Sequence, residues 1–152
     1  EKNHIEFDDR EKLKQTFFAW FYNKNDSSSG ISEIDEFYNK TKTLERYWDG
    51  KIIHSPYGRN IEADKHHALS CLIQSVTNDI MFRRAIAIND FIESNNLKSK
   101  VKFMIHDAVT IDLAKEDLKY IGRFKKIYSE TEFGTFMTKA KIGKDFGNMK
   151  NV

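Results

Sequence analysis

The sequence predicts an α+β chain, and three observations carry that prediction. Helical stretches and paired β-rich runs follow one another as helices, hairpin, long helix, hairpin, helix and strand, which is not the alternation of a βαβ array. Leu69, Leu72, Ile73, Val76 and Ile80 recur at the period of an amphipathic helix, and Ala87, Ile88, Phe91 and Ile92 continue an apolar face. Residues 101–105 and 109–113 are two β-rich runs separated by His106-Asp107-Ala108, which reads as a hairpin with an acid at its tip. The expected architecture is a small antiparallel sheet backed by helices. A chain of 152 residues, 39% hydrophobic and 13% aromatic, has the material for a core.

Asp8 and Asp9 precede a helical stretch over residues 10–22, where acidic side chains suit a helix N-terminus. The polar run NKNDSSSG over residues 23–30 reads as a linker. A second helix is expected over residues 32–48, opened by Ser32 and ended by Asp49-Gly50. Residues 51–62 read as two short strands around the turn Ser55-Pro56-Tyr57-Gly58. The long helix is expected over residues 63–94, stopped by Asn95 and Asn96. After the second hairpin come a helix over residues 116–128, a strand over residues 136–142 and a polar tail. There is no internal repeat.

Charged residues make up 32% of the chain, yet the net charge is only +2, which excludes a disordered acidic or basic tail and does not by itself demand nucleic acid. A single cysteine, Cys71, excludes an internal disulfide and fits a reducing, cytoplasmic compartment. No apolar run approaches the ~20 residues of a membrane span, and no signal peptide opens the sequence. Glu1 rather than Met stands first, which fits an excised, processed or truncated piece.

Arg10 and Lys14 stand four apart on the first helix, and Phe18 and Tyr22 continue the same row. Two cations followed by two aromatics can neutralise phosphate charge at one end and stack a ring at the other, and a solvated cationic edge beside core aromatics is the alternative. Asp107 at a tight turn can ligate a hard cation such as Mg²⁺, or be plain turn chemistry; His106 beside it contacts a substrate or caps the turn. His66 and His67 with Asp64 raise a zinc site, but adjacent helical histidines diverge and no second ligand pair has zinc spacing. Cys71 reads as a small core residue. Lys139, Lys141 and Lys144 near the last strand can touch a phosphate backbone or stay solvated. The phosphate-loop, dinucleotide, metalloprotease and nucleophile-elbow motifs are absent.

Taken together, these pieces resemble the C-terminal polymerase core of family A DNA polymerases, the DNA polymerase I family. Arg10-x3-Lys14-x3-Phe18-x3-Tyr22 looks like motif B of the fingers. Gly58-Arg59 resembles the T-x-x-G-R segment, with Ser55 in the Thr place, and Gln74-Ser75 followed by Asp79 resembles Q-G-T-x-x-D. His106-Asp107 looks like motif C, and Gly147-Asn148 resembles the family's C-terminal end. The likeness spans nearly the whole chain, in order. It implies a fingers portion over residues 1–62 and a palm portion over residues 63–152.

The resemblance implies that Arg10 and Lys14 hold the triphosphate of an incoming dNTP, Phe18 packs on its sugar and base, and Tyr22 tests the nascent pair. It implies that Gln74, Arg59, Ser70 and His106 meet primer-template DNA, His106 near the primer end, and that Asp107 ligates a catalytic Mg²⁺. Phosphoryl transfer of this kind rests on charge neutralisation and alignment, which such residues supply.

The sequence departs from the pattern at four places. Asn23 and Ser75 stand for glycines, Ser70 for an asparagine, and Ala108 for the acid of His-Asp-Glu. Such drift fits a divergent, phage-type member. Motif A, with the other essential aspartate, has no equivalent, because only nine residues precede Arg10. The expectation is a split or truncated polymerase, inactive alone, whose partner chain or missing segment brings motif A and the thumb. A single-subunit RNA polymerase fragment, or a non-catalytic remnant that binds DNA or a partner, is the competing reading.

Overall fold

A computed structural model describes residues 10–22 and 40–152. The chain divides into two compact units, residues 1–76 and 77–152. The Ser-rich linker, Asn23 and residues 32–39 of the second predicted helix lie outside the described residues.

In the first unit, α1 (Arg10–Tyr22) occupies the stretch expected from the sequence. Its buried Trp20 and Phe21 pack with Leu69, and Phe17 stacks on Phe21 with ring centroids 5.6 Å apart. Helix α2 (Lys40–Tyr47) stops one residue before the expected end, because Trp48 forms an antiparallel bridge to Ile53. Strands β1 (Ile52–His54) and β2 (Asn60–Glu62) pair antiparallel as expected, with Ile53 opposite Ile61. Gly58 closes their turn at φ +83°, a conformation that a side chain strains. Ile53, Ala63, Ala68 and Leu72 form the core beneath, and Trp48 Nε1 donates to the Ala63 carbonyl at 2.9 Å.

Helix α3 (Ala68–Ser94) begins five residues later than the periodicity implies. Asp64 is the reason: its Oδ1 accepts from the backbone N–H groups of His66 (2.7 Å) and His67 (3.0 Å), so residues 64–67 are spent on a capping turn.

The second unit takes the rest of α3, which ends where two asparagines were expected to stop it. Asn96 adopts a left-handed φ of 49°, and Leu97 N donates to the Ile92 carbonyl at 2.9 Å. Strands β3 (Lys100–Ile105) and β4 (Ala108–Asp112) form the expected hairpin, with a bulge between Val101 and Phe103. Ile88, Ile92 and Phe124 form the core under it, with Val101, Val109, Ile111 and Leu113 packed against them.

The single helix expected over residues 116–128 is two. A 3₁₀ helix (Lys115–Tyr120) turns Asp117 inward, and α4 (Ile121–Ser129) follows. Buried Asp117 accepts from Ser99 N (2.8 Å) and Ser99 Oγ (2.7 Å), and those hydrogen bonds hold its carboxyl below the ordinary aspartate range. The strand expected over residues 136–142 is a correction. Strand β5 (Glu130–Thr131) pairs with β6 (Gly134–Thr135), residues 136–140 have no regular structure, and β7 (Lys141–Ile142) pairs with β8 (Lys150–Asn151). Phe136 and Met137 are exposed, so the run has the composition of a strand without a buried face to hold it. The described strands form four separate two-stranded pairs rather than one small sheet. Among the described residues, no helix is long and apolar enough to cross a membrane.

Candidate functional site

Helix α1 presents two kinds of face. Phe17, Trp20 and Phe21 turn toward the unit's interior, while Lys14 and Phe18, one turn apart, are exposed. An exposed ammonium and an exposed ring thus share one side of a helix whose other side is anchored. The side chains of Arg10 and Tyr22 lie outside the described part of the structure. The contact of Trp20 and Phe21 with Leu69 sets α1 against the start of α3, which carries Ser70 and Gln74.

Gln74 is exposed, and Ser75 in the expected glycine place is buried with no hydrogen-bond partner for its Oγ among the described residues. Ser70 Oγ donates to the His67 carbonyl at 2.9 Å. Arg59 is exposed at the end of the β1–β2 turn. Its backbone N donates to Ser55 Oγ at 3.0 Å, and its carbonyl accepts from Ser55 N at 2.8 Å. Ser55 therefore holds the arginine's backbone, the job a hydroxyl in that place can do.

In the second unit, His106 and Asp107 form the two-residue turn between β3 and β4. His106 takes a left-handed φ of 48°, which closes the turn, and both side chains are exposed. The tip is tied from below: Tyr128 Oη, on α4, donates to the Asp107 carbonyl at 3.1 Å. Burial first, and then the Asp107 charge, push the Tyr128 hydroxyl above its ordinary range. Tyr128 was not singled out in the sequence, since a tyrosine on an apolar helical face carries no local sign of the turn it will meet. Ala108 opens β4 opposite Ile105 and adds no ligand to the tip.

A magnesium site needs several oxygen ligands in near-octahedral order. Asp107 is one carboxylate, and Asp112 at the far end of the hairpin pairs with Lys102 at 3.2 Å. Among the described residues no group of three or more potential metal ligands comes together, so this set does not by itself fit Mg²⁺. Among the described residues, His66 and His67 gather no group of three potential ligands for the alternative zinc site. His67 Nδ1 is engaged by both oxygens of Asp64 at 3.1 and 3.0 Å, and those bonds with the capping N–H groups lower the Asp64 pKa to about 2.

No family model, no curated protein and no solved structure matches this chain.

Proposed function

We propose that this chain is the C-terminal part or subunit of a template-directed DNA polymerase. It would add nucleotides from dNTPs to a primer 3′ end once another chain or segment supplies the missing carboxylate. The observation that carries the reading is Asp107, an exposed acid at the tip of a two-residue turn. The hairpin below it packs on α3 and α4, and Tyr128 ties the turn down. The backbone that carries the acid is thus fixed, which is one requirement of a pre-organised site for phosphoryl transfer. The exposed Lys14–Phe18 side of α1 supports the same reading, because a cation and a ring one turn apart suit a nucleoside triphosphate.

A non-catalytic, DNA-binding remnant is the second reading, favoured by the lack of any three-ligand group among the described residues. Primer extension by this chain with whatever protein co-purifies with it separates the two. The expected result is incorporation of dNTPs in preference to NTPs, reduced to background by Asp107→Ala with the circular dichroism spectrum unchanged. Undiminished incorporation by Asp107→Ala would remove Asp107 from the site. Preference for NTPs would favour the RNA polymerase reading.

A further inference from the structure

We propose that the outer face of the β3–β4 hairpin, with the C-terminal turn laid against it, is a stacking platform for single-stranded nucleic acid. Simple alternation would send Val101, Phe103 and Ile105 to one face of β3. The bulge after Val101 breaks that phase. Val101 pairs with Ile111 and joins the core, whereas Phe103 and Ile105, opposite Thr110 and Ala108, are left 43% and 49% exposed. Two large apolar side chains are thus turned into water by a specific backbone device.

A second ring comes from the C-terminal turn. Phe146 lies with its centroid 6.0 Å from that of Phe103, the planes inclined by 33°, and is itself 64% exposed. The turn that presents it is built rather than frayed. Asp145 Oδ1 accepts from Gly147 N (2.9 Å) and Asn148 N (3.0 Å), and at Gly143 a Cβ would come within 2.9 Å of the Asn148 carbonyl oxygen. Two accessible rings at such spacing suit successive bases.

The charge is complementary to a polyanion. Lys100 stands on β3, Lys144 adjoins Phe146, and Lys150 follows on β8, all exposed, while Lys102 on β3 is paired with Asp112 at 3.2 Å. In residues 133–152 the one acid is Asp145, whose carboxylate is occupied in its turn. Rings set among lysines are the composition of sequence-tolerant single-strand binding, in which stacking and phosphate neutralisation act together. This surface goes beyond the polymerase reading, because it uses neither Asp107 nor nucleotide transfer.

Fluorescence anisotropy of a labelled oligothymidylate, titrated with the full chain at several salt concentrations, tests it. Saturable binding that weakens with salt is expected. The double variant Phe103→Ala/Phe146→Ala should weaken it about tenfold or more. Phe146→Leu, which keeps apolar bulk and removes the ring, should weaken it too. Lys144→Gln should flatten the salt dependence, while Lys65→Gln, an exposed lysine of the first unit, should bind as the parent does. Melting temperatures near the parent value are expected for the ring variants, since both rings are exposed. No binding, equal binding by the ring variants, or a preference for anionic phosphatidylserine vesicles over the oligonucleotide would overturn the proposal. Loss of primer extension would leave this surface untouched.

Discussion

Both ring nitrogens of His54 face oxygen acceptors: Nδ1 lies 2.9 Å from Asn60 Oδ1, and Nε2 lies 3.2 Å from Asp49 Oδ2. A ring that donates from both nitrogens is an imidazolium. The bond to Asp49, then that to Asn60, raise the His54 pKa above its ordinary value. Asp49 is held in turn by the backbone N–H groups of Ile52 (2.6 Å) and Lys51 (2.9 Å), and these bonds and His54 lower its pKa to about 2. A raised histidine stabilises the folded chain below the unfolded-state pKa and loses that contribution as pH rises through the folded value. A lowered aspartate contributes above its unfolded-state pKa and loses it as pH falls toward about 2. The pair therefore acts fully between the ordinary aspartate value of 3.8 and the ordinary histidine value of 6.5. NMR titration of the His54 ring should give a midpoint above that ordinary histidine value, and Asp49→Asn should bring it down. An unchanged midpoint in Asp49→Asn would break the assignment. In the sequence, Asp49 with Gly50 is legible as a helix stop, but its partner is invisible, because only the hairpin pairing brings His54 back to it.

At the scale of elements, the hairpin stands on one aromatic anchor. Phe124 of α4 is buried against Ile88 and Ile92, and Phe91 meets its ring edge-on at 5.9 Å. Phe124→Ala removes that ring from under β3 and β4 and should destabilise the second unit by about 3–5 kcal/mol. Chemical denaturation, followed through the protection of β3 amides, measures the loss, and a cost below about 1 kcal/mol would show a hairpin held by other contacts. Helix α1, the first hairpin, the asparagine stop of α3 and the second hairpin were legible because each rests on local signals: periodicity, turn residues, a run of β-branched side chains. The failures are mostly non-local. The later start of α3 is the exception, a local choice of Asp64 over its neighbours as cap, whereas the 3₁₀ helix depends on the distant Ser99. The bulge in β3 depends on pairing with β4. Of the strand expected over residues 136–142 only Lys141 and Ile142 find a partner, in β8, and composition cannot foretell where pairing ends. The singled-out residues divide the same way: Lys14, Phe18, His106 and Asp107 stand out by spacing or turn position, whereas Tyr128, Phe103 and Phe146 take their settings from contacts.

At the scale of the molecule, the proposed reading, in which another chain or segment supplies a carboxylate, bears directly on what the purified chain should do. Residues 77–152 carry fourteen basic residues against ten acidic ones, so any attraction of this unit for DNA would need no catalytic metal. Binding is thus a poor measure of function here, and turnover is a sharp one. Two-metal phosphoryl transfer clamps both the attacking and the leaving oxygen, and Mg²⁺ surrenders its waters reluctantly. The described residues set one acid, Asp107, at the hairpin tip and gather no cluster of three ligands. Charge neutralisation by Lys14 cannot stand in for that clamp, since a cation on a side chain aligns an anion without fixing the attacking oxygen. The chain alone, given Mg²⁺, dNTPs and primer-template, should bind the DNA and extend nothing, and adding back its co-purifying chain should restore extension. Lys14→Ala in that restored complex should raise KM for the nucleotide and lower the rate, because on the proposed reading the interaction it removes is one with the triphosphate. Robust extension by the chain alone would place the second carboxylate within this sequence, among acids such as Asp8, Asp9, Asp26 and Asp35 that lie outside the described residues. The split-site premise would then give way to a complete site.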